Sequence, residues 1–248
     1  FDLGNGGQTN INGYDFASWT FRKAPGFFTI CSWTGTGYGS RQISHDLGSV
    51  PGCIMIKRTD AINNWIVWHR SIQTSTAADV YYMNLNTNGS RQERYQMFND
   101  QSPTSTHFVV GTDPEVNAEN GTYVAYVFAH DDQSFGNDGN SSIIKCGNYT
   151  GNGSTNGTVV NLGFEPQWLL IKRYESSNQE WVIFDSMRGI VSGNIANIVD
   201  NYLFADSTSS EVDNPRLELN PTGFKLTSST HQLNNSGGEF MYIAIRRP

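Results

Sequence analysis

Paired cysteines, long apolar runs and a surplus of positive charge are all missing from this sequence, and each absence removes a class of protein. The three cysteines, Cys31, Cys53 and Cys146, are odd in number and show no CxxC spacing. Neither a disulfide framework nor a thiolate zinc site is indicated, and they read as core thiols. The longest apolar stretches, Cys53–Ile56 and Trp168–Ile171, stop at Lys-Arg, far short of the roughly 20 residues that span a bilayer. No membrane insertion is expected. With 16 Lys+Arg against 23 Asp+Glu the formal charge is −7, which disfavours adhesion to a phosphate backbone, so nucleic acid is not an expected partner. The sequence opens at Phe1 with neither Met nor a signal-like apolar stretch, which reads as a fragment, a processed product or the ordered part of something longer.

Catalytic signatures are missing as well. There is no GxSxG elbow, HExxH, P-loop, dinucleotide fingerprint or calcium-loop spacing. The five histidines, His45, His69, His107, His130 and His231, do not recur at equivalent places in the repeat described next. The expectation is a protein that is not an enzyme, with no cofactor and no metal.

What the chain has is turn chemistry and repetition. It carries 25 Gly and 12% aromatics, few stretches of helical period, and short apolar or alternating runs between Gly and Asn turns. This is an all-β pattern. Laid on itself, Trp33-Thr-Gly-Thr-Gly37 matches Tyr149-Thr-Gly-Asn-Gly153, a displacement of 149 − 33 = 116. In the same order and at nearly the same displacement, Leu47-Gly-Ser-Val-Pro51 matches Leu162-Gly-Phe-Glu-Pro166, and Ile56-Lys-Arg58 matches Ile171-Lys-Arg173. Trp65-Ile-Val-Trp68 then matches Trp181-Val-Ile-Phe184, and Phe108 matches Phe224. Phe16-Ala-Ser-Trp-Thr-Phe21 in turn parallels Tyr123–Phe128 and Phe240–Ile245.

A period of this length suits a whole domain rather than a solenoid repeat. The expected organisation is 1–23 as closing strands of a preceding copy, 24–131 as a first β-sandwich copy, 132–140 as a linker and 141–248 as a second copy. Each copy would have about seven or eight strands in two layers, since a lone sheet leaves an apolar face wet. The Leu-Gly-x-x-Pro element reads as a turn in which Gly supplies backbone freedom. Trp65 and Trp181 are expected in the core of their copies, each on a strand returning after a polar loop.

Candidate binding residues are aromatics among Gly, Asn and Thr, because a ring face stacks on pyranose C–H groups while short polar side chains meet hydroxyls. Tyr38, in Gly35-Thr-Gly-Tyr-Gly39, fits best; Trp33 and Tyr149 share a place in the two copies, as core aromatics also would. Lys57-Arg58 and Lys172-Arg173 suit an acidic sugar, or are strand-end charges paired with carboxylates such as Asp185. His130-Asp-Asp132 with Asn137-Asp-Gly-Asn140 is the densest set of oxygen donors, of a kind that suits calcium, and reads as linker chemistry.

Several segments together resemble a known family. Ile143–Gly153, Asn161–Arg173, Trp181–Gly189, which includes Asp185-Ser-Met-Arg-Gly189, and Tyr242–Arg247 are similar to the module repeated in structural proteins of marine tailed bacteriophages, of cyanophage type. The likeness covers the second copy nearly throughout and the first more loosely, with His69-Arg-Ser71 replacing Asp185–Gly189. The resemblance implies concanavalin-like or jelly-roll sandwiches on the virion surface and no catalytic residues. It favours a tail-fibre or receptor-binding segment that adheres to host cell-surface glycans and contacts other virion proteins, as a homo-oligomer where fibres trimerise. A capsid decoration on the head is the alternative. A polysaccharide-degrading tailspike comes third, since no carboxylate pair recurs at glycosidase spacing.

Overall fold

The computed structural model describes residues 4, 6, 7, 9–73, 80–190 and 201–247. The first half runs β1 (Phe28–Thr34), β2 (Arg41–Ser44), β3 (Pro51–Arg58), β4 (Trp65–His69), β5 (Tyr81–Asn84), β6 (Gln92–Glu93), β7 (His107–Val110) and β8 (Thr122–Ala129). Two one-turn helices, α1 (Tyr95–Phe98) and α2 (Pro114–Asn117), sit before and after β7. The second half runs β9 (Ile144–Thr150), β10 (Val159–Asn161), β11 (Pro166–Arg173), β12 (Val182–Asp185), β13 (Asn201–Phe204), β14 (Val212–Asp213), β15 (Leu217–Asn220), β16 (Gly223–Leu226) and β17 (Glu239–Arg246). The protein is all-β, built of antiparallel sheets in the manner of a β-sandwich.

The large sheets are ordered β1-β8-β3-β4-β5-β6 and β9-β17-β11-β12-β13-β14, the same sequence of equivalent strands. The small sheets are β2-β7 and β10-β16-β15. Register repeats too: Ile54 pairs with Trp68 as Leu169 pairs with Phe184, and each central strand has an irregularity just after its first proline, Pro51 or Pro166. The turn before it places Gly48 and Gly163 at φ 77, a backbone conformation that glycine adopts without Cβ strain.

Strand alternation gives each large sheet two faces. The inner face of the second sheet, with Leu169, Ile171, Phe184 and Tyr242, closes a core with Val160, Leu219, Phe224 and Leu226 of the small sheet. In the first half Ile54, Ile56, Trp68 and Tyr123 meet Ile43, Phe108 and Val110 in the same way. The outer faces meet each other. Cys53, Met55, Val67 and Met83 join Cys146, Leu170, Ile183, Met241 and Ile243 in one continuous apolar cluster. That second covered face explains why β11, β12 and β17 read as unbroken apolar runs.

Polar contacts pin this seam. The Trp181 indole donates to the Asn84 carbonyl at 3.0 Å, and the Cys146 amide donates to His130 Nδ1 at 3.1 Å. His69, fully buried, accepts from the Ser71 amide at Nδ1, so Nε2 carries the proton that faces the Tyr242 carbonyl at 3.2 Å. Burial lowers the His69 pKa to about 3, although the Tyr242 carbonyl favours the charged form.

Two expectations need correction. Residues 16–21 form no strand. β8 and β17 each have a ladder partner on both sides, whereas residues 16–21 pair with no strand and are held by side chains. The Trp19 indole donates to Asp185 at 3.0 Å, and Phe21 wedges edge-on between Phe128 and Trp168. The second correction concerns the paired tryptophans. Trp181 is 0% exposed because the first half covers it, but Trp65, on the same outer face of its own sheet, is half-buried and stacked on Tyr126.

Candidate ligand-binding site

The loop between β1 and β2 is built by close backbone approach. A Cβ on Gly35 would stand 2.0 Å from the Ala118 carbonyl oxygen, and one on the equivalent Gly151 would stand 2.3 Å from that of Asn235, so only glycine fits either place. Beneath the first loop lies Asn117, fully buried. Its Nδ2 donates to the carbonyls of Tyr38 at 2.6 Å and Gly111 at 2.8 Å, and its Oδ1 accepts from the Thr36 amide at 2.9 Å. Asn234 repeats the device in the second half, donating to Asn152 Oδ1 and the Ser154 carbonyl and accepting from the Asn152 amide. Sequence reasoning missed this pair. The signal was there in Val116-Asn117 and Leu233-Asn234, each an apolar–Asn step shortly before a Gly-bearing turn.

Of the candidate aromatics, only Tyr38 is open to a ligand. It is 76% exposed on a loop whose backbone Asn117 holds. Trp33 and Tyr149 belong to the core, which corrects their reading as ligand contacts. Trp33 stacks on Tyr123 and donates to the Val116 carbonyl at 3.1 Å. Tyr149 stacks on Phe240, and its hydroxyl donates to the Leu233 carbonyl at 2.7 Å. With both rings inside and both polar atoms bonded, neither has a face to offer.

The Lys-Arg pairs are strand-end charges, with partners other than Asp185. Arg58 pairs with Asp60 at 2.9 Å and Arg173 with Glu175 at 2.6 Å. Lys57 lies over the Trp65 ring and donates to the Asn63 carbonyl; Lys172 lies over Trp181 and donates to the Gln179 carbonyl. Burial lowers the Lys172 pKa to about 8, against the opposing pull of Asp206 and Glu180. Asp185 instead takes Arg188 Nε at 2.6 Å along with the Trp19 indole, and Arg188 spreads over Trp19. This clasp walls a cleft of about 1270 Å³ between residues 14–22 and the second sheet, where Arg188 is engaged by both Asp185 and Glu211. Around the linker, Asp131 pairs with Lys145 and Asp132 accepts from the Ser134 amide. Among the described residues no group of three or more His, Cys, Asp or Glu side chains is placed to hold a metal ion.

Fold and site thus define an all-β protein of two like halves joined outer face to outer face, carrying rigid Gly/Asn loops at equivalent places. The chain belongs to the family described as a domain of unknown function, DUF7483, whose model matches residues 1–247, both halves and the amino-terminal segment together. No curated protein and no solved structure matches it.

Proposed function

We propose that the chain is a structural component of a bacteriophage particle surface, a tail-fibre or receptor-binding segment that adheres to host glycans and catalyses no reaction. The observation that carries the reading is Tyr38: a large ring exposed on a backbone that glycine closeness and a buried Asn hold in one shape. Such a ring loses little entropy when a sugar stacks on it. The resemblance to repeated modules of marine tailed phages supports the particle setting, and the shared sheet order supports sandwiches of jelly-roll or concanavalin-like type. Binding per site is weak, and many copies on one particle supply avidity.

Adhesion of the purified protein to host cells, and its binding to an array of surface glycans, test this reading. Tyr38→Ala lowers attachment while thermal unfolding stays within about 0.5 kcal/mol of wild type. Unchanged attachment removes Tyr38, and release of defined oligosaccharides by the wild type overturns the non-enzymatic reading.

A head decoration is the second reading. Ile30, 48% exposed, lies beside half-buried Tyr126 on the outer face of the first sheet, and a flat apolar strip of this kind suits contact with a shell protein.

A further inference from the structure

A pocket of about 320 Å³ opens in the first half, lined by Ser49, Val50, Trp68, Arg70 and His130 with two prolines. Its Trp68, Arg70 and His130 side chains present donors, and the hydroxyls of Ser49 and Ser102 can donate or accept. The Trp68 indole N–H is buried without a partner in a residue only 3% exposed, and the buried Ser49 hydroxyl has no partner either. An unpaired buried donor costs about 1–3 kcal/mol, so two lining one pocket call for an acceptor. His130 accepts the Cys146 amide at Nδ1, which leaves Nε2 as the protonated nitrogen. Arg70 forms no ion pair among the described residues.

The second half shows what the same place looks like when it is filled. By the repeat and the paired registers, Ser49, Val50, Trp68, Arg70 and His130 correspond to Phe164, Glu165, Phe184, Ser186 and Arg247. There the two orphan donors are replaced by phenyl rings, and the cation at the His130 position holds a carboxylate of its own chain, Arg247 to Glu165 at 2.7 Å. In the first half the carboxylate becomes Val50, while donors accumulate around it. We infer that this pocket binds the carboxylate of an incoming ligand of about monosaccharide size, a uronic or sialic acid residue, in the position that Glu165 occupies in the second half. The two prolines offer apolar wall to the sugar, the Trp68 indole contributes its N–H, and Arg70 and His130 supply the charge-assisted hydrogen bonds. The assignment deepens the glycan-adhesion reading and rests on it for the sugar; the donor chemistry stands without it.

The test is titration of the full chain with sodium glucuronate, N-acetylneuraminate, glucose and inorganic phosphate, followed by tryptophan fluorescence and calorimetry. Glucuronate or N-acetylneuraminate should bind in preference to glucose and phosphate. Arg70→Ala should weaken binding about tenfold or more. Val50→Glu, which installs the carboxylate of the sister half at a place where the fold carries it, should abolish binding without loss of stability. Glucose binding as tightly as the acids, phosphate outcompeting them, or Val50→Glu binding like wild type overturns the assignment. Full host adhesion by Val50→Glu with loss in Tyr38→Ala would remove the pocket while the adhesion reading stands. Tight glucuronate binding by a protein that adheres to no cell would do the reverse.

Discussion

Trp65 and Trp181 stand at equivalent places in the two halves, each beneath a lysine, yet one is half in solvent and the other is sealed. Each has its lysine, Lys57 or Lys172, over the ring at the end of a hairpin whose loop carbonyl takes the ammonium. The local device is therefore copied whole. What differs is the neighbour: the first half lies over Trp181 and supplies the Asn84 carbonyl, and among the described residues nothing equivalent lies over Trp65. Duplication reproduces what a strand and its hairpin determine between themselves. It does not reproduce burial that comes from stacking one copy on another.

The largest expected effect breaks that comparison directly. Trp181→Ala should cost about 3–5 kcal/mol, as deletion of a sealed aromatic does, while Trp65→Ala should cost about 1–2 kcal/mol, in keeping with partial burial. Urea unfolding of both variants decides it, and equal losses would mean that the seam contributes nothing to the second site.

Next comes acid. The neutral form of His69 is the one that fits the seam, and its pKa of about 3 lies below the ordinary value of 6.5. Its contribution is whole above pH 6.5 and is lost progressively as pH falls from there toward 3, because the unfolded chain takes up the proton first. Urea midpoints measured from pH 7 to 5 should fall for the wild type and fall less for His69→Gln. His45, whose pKa burial also lowers, acts in both proteins alike.

The loops should behave as the copied devices they are. Asn117→Ala and Asn234→Ala each strand buried backbone groups and should cost about 1–3 kcal/mol, with similar values in the two halves. A large disparity would show that the buried Asn does different work in each. The smallest effect lies in base. Burial holds the Lys172 pKa at about 8, against an ordinary lysine value of 10.5, so stability should rise as pH climbs from 8 toward 10, and Lys172→Met should flatten that slope.

The repeat made the likeness of the two halves legible, because matching apolar strands and the Leu-Gly-x-x-Pro turn recur at nearly one displacement, while the order of strands within each sheet was not. The exposure of Tyr38 was legible on different grounds, as a lone ring in a glycine-built turn. The seam was not. The alternation along β11 and β12 is hidden when both faces are apolar, and nothing in Trp168-Leu-Leu-Ile171 distinguishes a face turned to its own small sheet from one turned to the other half. Residues 16–21 misled for a related reason. Their aromatic pattern is that of a closing strand, but a strand also needs a ladder beside it, and that is a property of the neighbours.

Trp19 and Asp185 are 166 residues apart in the chain, and that separation orders events in time. A ribosome delivers the clasp's first partner long before its second, so Trp19 and the outer faces of β3 and β4 emerge without the surface they will cover. Contacts so distant in sequence close late, after the loop-closure entropy between them has been met. Met55, Val67 and Met83 are therefore the surface most in need of protection during synthesis. A chain stalled after residue 131 should be captured by cellular chaperones through that face, and release should await the arrival of β9, β11 and β17.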